Sequence, residues 1–405
     1  MTFEFHAAPP PGEWINDPNG LIYAGGRYRL FAQHSAEEPD FKRIGWARWS
    51  SDDLLHWDWD GPVIAPDATG LAYSGSVLAE GDALTAFLTR HSPPLQRQYR
   101  LASDDHGLTW QQHDEALGPE GRNVRDPFVF DCVATGDRRM IVAAPCDWTD
   151  WANEPPSRLE VWAERAECWE QVGTIGPWSP AGVMWEVPVL LDFDDAHVLV
   201  VSTVDRRDGG AACSVRYWVG RFDGRTFTTD DPVDGLQLDH GPEFYATCFN
   251  TVAGWPNHER VLIGWASSWA TARTMRWPGD IHGGPLSLPR VVTLVRGRLR
   301  QTPLHGAMTS ATTGHWSPGK SARLAFEGEG VGLTVYIGED GALRAERSGV
   351  QPVLAWSSSQ AHFLSRSTDI AVFIDNGLCE LFFLAEGKVM TAYVPGATHL
   401  HGISQ

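Results

Sequence analysis

The 405-residue sequence has little basic charge, no long apolar run and almost no helical periodicity. Its 51 acidic residues outnumber 32 lysines and arginines, a formal net charge of −19. Nucleic acids and anionic membrane surfaces repel such a chain, and no basic cluster offsets the effect, so neither is expected as a partner. No stretch approaches the ~18 apolar residues that span a bilayer. The opening segment MTFEFHAAPPPGEW has no basic region followed by an apolar one, so no signal peptide is visible. Six cysteines (Cys132, Cys146, Cys168, Cys213, Cys248 and Cys379) lack CxxC or other ligand spacing. That pattern fits free thiols in a reducing compartment, with no metal or cofactor, and a cytoplasmic location is expected. No feature sets an oligomeric state.

What the chain has in abundance is tryptophan, 19 residues, with 41 glycines and 27 prolines. Indole offers a flat apolar face and one N–H donor, which suits β-rich cores and sugar stacking. Short β-branched and aromatic runs such as GRYRLFAQ, HVLVVSTV and ERVLIGWA are bounded by Gly, Asp and Pro, which predicts an all-β protein. The runs also repeat. SSDDLLHW ends at Trp57 and SDDHGLTW at Trp110, each with Ser first, Asp third and Trp eighth. Weaker relatives end at Trp169 and Phe227, and the hairpin VVTLVRGRLRQTP closes the series near Leu299. A period of 50–60 residues matches a four-stranded blade, so residues 1–303 are expected to form a five-bladed β-propeller. A calcium-binding reading of the Asp-rich turns lacks a full set of oxygen ligands. Residues 304–321 are turn-rich and read as a linker without a strong strand. Strand patterns resume from Ala322, and 322–405 is expected to be a small antiparallel β-sandwich.

Three carboxylates stand out. Asp17 lies in WINDPNG, where Pro18 and Asn19-Gly20 force a turn that fixes the carboxylate. Asp126 lies in NVRDPFVF, where Pro127 suits the start of an inner strand and Arg125 supplies forked donors. Glu186 lies among apolar neighbours in GVMWEVPV, a setting that suits a general acid. Counted against the repeat, the acids fall in blades one, two-to-three and three, converging at one end of the channel. Glycoside cleavage needs one carboxylic acid to protonate the leaving oxygen and a second carboxylate to attack the anomeric carbon or activate water.

WINDPNG, RDP and WEVP resemble the three acid motifs of glycoside hydrolase family 32, the invertase, inulinase and levanase family. The resemblance extends to YSGS (73–76), SSDDLLHW, GPEFYA (241–246), LSLPRVVTL (286–294) and DIAVFIDNGLCELFF (369–383). It implies a retaining mechanism on fructosides, with Asp17 as nucleophile, Glu186 as acid/base and Asp126 as transition-state stabiliser. It also implies sugar contacts from Asn16, Gln33, Ser74 and Arg125, with Tyr245 near the acid/base. Three departures stand against the family pattern. Val187 replaces the cysteine after the acid/base, Phe41 is the substitute for an absent pocket tryptophan, and Glu243 replaces an aspartate expected to bind hydroxyls.

These features lead to a β-fructofuranosidase acting on sucrose and short fructo-oligosaccharides, with a small sugar as its partner. Alternatives are a fructosyltransferase, an exo-fructanase, or a hydrolase of sucrose 6-phosphate; the last needs basic residues at the pocket rim, for which Lys42 and Arg43 are the candidates. A non-catalytic propeller that binds sugars or proteins and an arabinoside- or xyloside-cleaving relative stand further back.

Overall fold

The computed structural model describes residues 3–36, 43–113, 116–117, 123–144, 156–166, 168–178, 183–194, 196–207, 211–250, 258–349 and 355–404. Almost all of its regular structure is strand. Among the described residues, five antiparallel sheets follow one another, each opening on an inner strand: Trp14–Ala24, Leu71–Glu80, Arg125–Cys132, Val183–Phe193 and Tyr245–Phe249. Each sheet has four strands in sequence order, and the fourth gains a short fifth strand, Leu236–Gln237. The inner strands pack on one another in that order, and the fifth packs back on the first.

Burial follows from this arrangement. Trp14–Ala24 is buried at all but one position, because sheets flank it on both faces. The outermost strand of the same sheet, Asp58–Ile64, alternates between exposed and half-buried positions, as an edge with one covered face should. The repeated Ser/Asp/Trp segment forms the turn from third to fourth strand in the first two sheets. Asp53 Oδ1 accepts the N–H groups of Leu55 and His56 at 2.8 and 2.9 Å, while Ser51 Oγ accepts Leu54 N–H at 2.8 Å. Asp105 does the same for Leu108 and Thr109, and Trp110 packs edge-on against Phe31 at 5.8 Å. In the fourth sheet Asp223 takes over this role for Arg225 and Thr226.

Because only a sheet's own outermost strand follows the marker turn, the next inner strand belongs to the next sheet. The blade assignment of the acids therefore needs correction: Asp17, Asp126 and Glu186 lie on the inner strands of the first, third and fourth sheets.

The C-terminal region stacks two sheets, one of order Thr312–Trp316, Thr368–Asp375, Leu378–Phe383, Lys388–Tyr393, and a second of five strands that includes Trp356–Gln360 at one edge. The expectation that 304–321 carries no strand is corrected here. Thr312–Trp316 pairs with Thr368–Val372, its edge position explaining the weak alternation of TTGHW. The N-terminus also reaches this region: His6 bonds to Asp375 at 2.7 Å and to Glu380 at 3.1 Å. Arg290, from the fifth sheet, binds Glu380 at 2.6 Å, Asp239 at 2.8 Å and Thr391 at 2.6 Å. The five described cysteines are free, and Cys146 lies outside the described residues.

Candidate active site

The inner strands are irregular where the acids sit. Pairing shifts register between Ile15 and Pro18, between Ala72 and Gly75, opposite Asp126, between Glu186 and Val189, and between Tyr245 and Thr247. The cause is visible in the sequence for three of the five. Pro18, Pro127 and Pro188 follow the acids within two residues and cannot donate to a ladder. A bulge leaves a residue unpaired and turns its side chain, which is how an inner strand can present a carboxylate to the channel. In the second sheet Gly75 permits the shift, since a Cβ there would lie 1.8 Å from the Phe87 carbonyl oxygen.

Asp17 is held by a closed ring of neutral donors. Asn16 Nδ2 donates to Asp17 Oδ1 at 3.0 Å and to Gln33 Oε1 at 2.6 Å. Gln33 Nε2 donates to Ser74 Oγ at 2.6 Å, and the Ser74 hydroxyl donates to Asp17 Oδ2 at 2.7 Å. Trp14 Nε1 completes the set by donating to Asn16 Oδ1 at 2.9 Å. Three side chains and an indole therefore fix both carboxylate oxygens. Burial pushes the Asp17 carboxyl up to about 6; the Ser74 bond opposes that shift and the nearby Glu186 charge adds to it.

Glu186 has different company. Arg125 Nη2 donates to Oε1 at 2.6 Å and Tyr245 Oη donates to Oε2 at 2.5 Å. Burial drives the Tyr245 phenol well above its ordinary value, so it stays a donor. Asp126 adopts φ 60°, and its Oδ2 accepts the Val187 N–H at 2.9 Å. Val187 itself has φ 47°, a conformation that costs a β-branched residue on the order of 1–3 kcal/mol. That turn points the amide following the acid/base candidate at the second aspartate. Burial raises the Asp126 carboxyl, opposed by the charge of Arg125 and by the Val187 bond.

Asp17, Gln33, Ser74, Arg125, Asp126 and Glu186 line one cavity of about 620 Å³. Asn16, fully buried, stands behind Asp17 as its support, and Tyr245 stands behind Glu186. Glu243 does not join them, which corrects its expected role as a sugar contact. It is fully buried at the base of the C-terminal region, where both its oxygens accept from Arg347 and Oε2 accepts the Tyr393 N–H. Phe41 and Lys42 lie outside the described residues, and Arg43 is exposed.

The cavity also has walls that sequence reasoning missed. Tyr73 and His91 stack at 4.6 Å and 16° on one side, with Trp269, Arg206 and Arg273 among the residues lining the rest. Arg206 follows the strand Ala196–Asp205 in an Asp-Arg-Arg run that reads as a solvated turn, and Trp269 sits in a loop without strand periodicity. Such positions are set by how sheets face one another, and no local signal marks them. Chemically the site offers one carboxylate fixed by neutral donors and, across the same cavity, a carboxylate fixed by a guanidinium and a phenol. The third acid is anchored by a backbone amide. The pair supplies the two groups that glycoside cleavage requires.

Comparison with known proteins shows the family. Residues 6–303 match the model of the glycosyl hydrolases family 32 N-terminal domain. The chain is 29% identical to an extracellular exo-inulinase of Aspergillus awamori over 66% of its own length and 57% of that enzyme, so it spans little more than half of that relative. It is 29% identical to a sucrose-6-phosphate hydrolase of Klebsiella pneumoniae over 97% of its own length and 88% of that protein. In fold it resembles the structure of sucrose-6-phosphate hydrolase from Lactobacillus gasseri, with a TM-score of 0.81 at 20% identity, covering 100% and 91% of the two chains. The cytoplasmic expectation is corrected: the relatives that the chain matches include extracellular exo-inulinases of Aspergillus awamori and Aspergillus niger. The chain belongs to glycosyl hydrolases family 32 and is a glycoside hydrolase.

Proposed function

We propose that the chain is a retaining β-fructofuranosidase that hydrolyses sucrose and short fructo-oligosaccharides, with residues 1–303 as a five-bladed propeller followed by a β-sandwich that begins with the strand Thr312–Trp316. The observation that carries this reading is the unequal support of the two carboxylates across one cavity: Asp17 is gripped at both oxygens by uncharged donors, whereas Glu186 is held by Arg125 and Tyr245. Asp17 attacks the anomeric C2 of the fructosyl unit as the bond from C2 to the leaving oxygen breaks. Glu186, in its protonated form, gives that oxygen a proton. A water then attacks C2 of the fructosyl-enzyme, loses its proton to Glu186 and releases Asp17, so the anomeric configuration is retained. Asp126 binds hydroxyls of the fructosyl ring, and Gln33, Ser74 and Arg125 add contacts around it.

A second substrate reading has a specific basis. Arg206 and Arg273 both line the cavity, and guanidinium groups are well matched to phosphate. A phosphorylated leaving group would face them, as the names of several relatives suggest. Initial rates on sucrose, sucrose 6-phosphate, 1-kestose, inulin and levan, with free glucose and fructose counted separately, test both readings. Equal release of glucose and fructose from sucrose is expected. Fructose far below glucose would replace the hydrolase by a transferase, and turnover confined to sucrose 6-phosphate would replace the neutral substrate.

A further inference from the structure

The bulge that carries Asp126 takes its support from the neighbouring sheet. Arg125 pairs with Ala143 and Phe128 with Ile141, so Asp126 and Pro127 together stand opposite Val142. At φ 60° the Asp126 backbone leaves the ladder, a conformation that costs on the order of 1–3 kcal/mol and persists only where the surroundings over-determine it. Buried backbone groups turned out of a ladder also need new partners. Side chains of the second sheet supply them. Thr89 Oγ1 accepts the Asp126 N–H at 3.0 Å and donates to Gln98 Oε1 at 2.7 Å. Gln98 Nε2 in turn donates to the Val124 carbonyl at 2.6 Å. Ser76 extends the row, donating to the Pro127 carbonyl at 2.8 Å and accepting the Val129 N–H at 3.1 Å.

Thr89 and Gln98 lie on the strands Ala83–Ser92 and Leu95–Ser103, and both are fully buried. Neither is among the described residues that line the cavity with Asp17, so their effect on a bound sugar is indirect. Their bonds bracket Arg125, one on the carbonyl before it and one on the amide after it. Arg125 reaches Glu186 at 2.6 Å, and Asp126 accepts the Val187 N–H at 2.9 Å. One clamp therefore fixes the backbone from which two side chains of the site depart. Without it the Asp126 amide has no ladder partner, and the strained turn loses a bond that holds it.

We propose that Thr89 and Gln98 are positioning residues of the reaction: a hydroxyl and an amide from the second sheet that clamp the backbone of Val124–Asp126 and aim the Asp126 carboxylate at the fructosyl unit. The inference rests on the fructosidase reading and adds to it the residues that keep the third acid in place.

The test measures kcat/KM for sucrose in the wild type, Thr89→Val, Thr89→Ser and Gln98→Met, with thermal melts to establish folding. Valine keeps the shape of threonine and removes both hydrogen bonds, so kcat/KM should fall by about 10²-fold, the scale of a small misplacement in a site. Thr89→Ser, which keeps the hydroxyl, should recover most of that loss. The same valine change is then made in an Asp126→Asn background, where it should cost less than about threefold because the group it positions is already disabled. A purely structural role would cost the same factor in both backgrounds. Gln98→Met carries the same comparison if Thr89→Val does not fold. Wild-type kcat/KM in a folded Thr89→Val or Gln98→Met, or equal losses in the two backgrounds, overturns the clamp and leaves the fructosidase reading standing. A wild type that cleaves neither sucrose nor any longer β-fructoside strikes that reading, and the clamp's role with it.

Discussion

Two buried clusters of charge in this molecule use the same ingredients to opposite effect. At the proposed catalytic cavity, Asp17, Asp126 and Glu186 share one buried guanidinium, Arg125, and burial leaves both aspartates above the usual carboxylate range. Between the propeller and the sandwich, Asp239, Asp375 and Glu380 share two cations, Arg290 and His6. There burial still acts against ionisation, but Arg290 and His6 hold Glu380 below its usual range and His6 does so for Asp375. Only Asp239 remains raised. The difference lies in how many cations each carboxylate meets, since both sites are almost dry. A site short of positive charge keeps reactive carboxylates. A site close to balance joins the fifth sheet and the N-terminal segment to the C-terminal sheets.

The sharpest way to break this comparison is to neutralise one catalytic acid. Asp17→Asn should lower kcat by at least about 10⁴-fold, since nucleophile losses in enzymes are of that size. It should also stabilise the fold at neutral pH, by up to about 2 kcal/mol. The sign follows from the raised carboxyl: between the unfolded value near 3.8 and the folded value of about 6, the native state binds more protons than the unfolded one. Wild-type stability therefore falls as pH rises through that window, and the variant escapes the fall. Thermal melts from pH 3 to pH 8 check it; a variant less stable than wild type at pH 7 would show that Asp17 is not strained by its burial.

The opposite result is expected at the interface. His6→Gln should destabilise the protein by about 2–3 kcal/mol at pH 7, because two carboxylates lose a charged partner. Burial lowers the imidazole's affinity for a proton, but the bonds to Asp375 and Glu380 prevail and raise it to about 9. Its contribution is complete below about pH 6.5 and is lost as pH rises through about 9, so wild type and variant should converge in alkaline solution. A gap between their melting temperatures that persists at pH 10 would contradict the assignment.

The same contrast separates what the sequence makes legible from what it hides. Asp17 and Asp126 were readable because each is followed directly by a proline, which dictates a break in the ladder wherever the chain goes afterward, and Glu186 because a carboxyl stands out among apolar neighbours. The marker turns were readable because Asp53 and Asp105 act on their own neighbours. Glu243 was misread because its partner, Arg347, is 104 residues away on a C-terminal strand, and nothing local distinguishes a sugar-binding acid from one that pins distant segments together. Val187 was read as an absent thiol, whereas its backbone N–H, turned by a positive φ, is what reaches Asp126. Thr312–Trp316 escaped notice because an edge strand has one partner and carries half the usual pattern. Local chemistry was visible, and contacts between distant segments were not.

The smallest expected effect tests the ring around Asp17. Ser74 donates to one carboxylate oxygen and accepts from Gln33, so Ser74→Ala removes a bond that holds the Asp17 carboxyl down while leaving burial and the Glu186 charge in place. The carboxyl should rise further above about 6, by up to about one unit. Attack requires the ionised form, so the acidic limb of the kcat/KM profile should move to higher pH by the same amount. Ser74 also lines the cavity, and KM alone would not distinguish lost sugar contact from altered ionisation. The position of the limb does, because a lost contact scales the whole profile and leaves its midpoint fixed. Ser74→Thr, which keeps the hydroxyl, should restore the midpoint. A limb that stays put in the alanine variant would mean that the Ser74 bond does not tune Asp17, and that the closed ring orients the carboxylate without setting its charge.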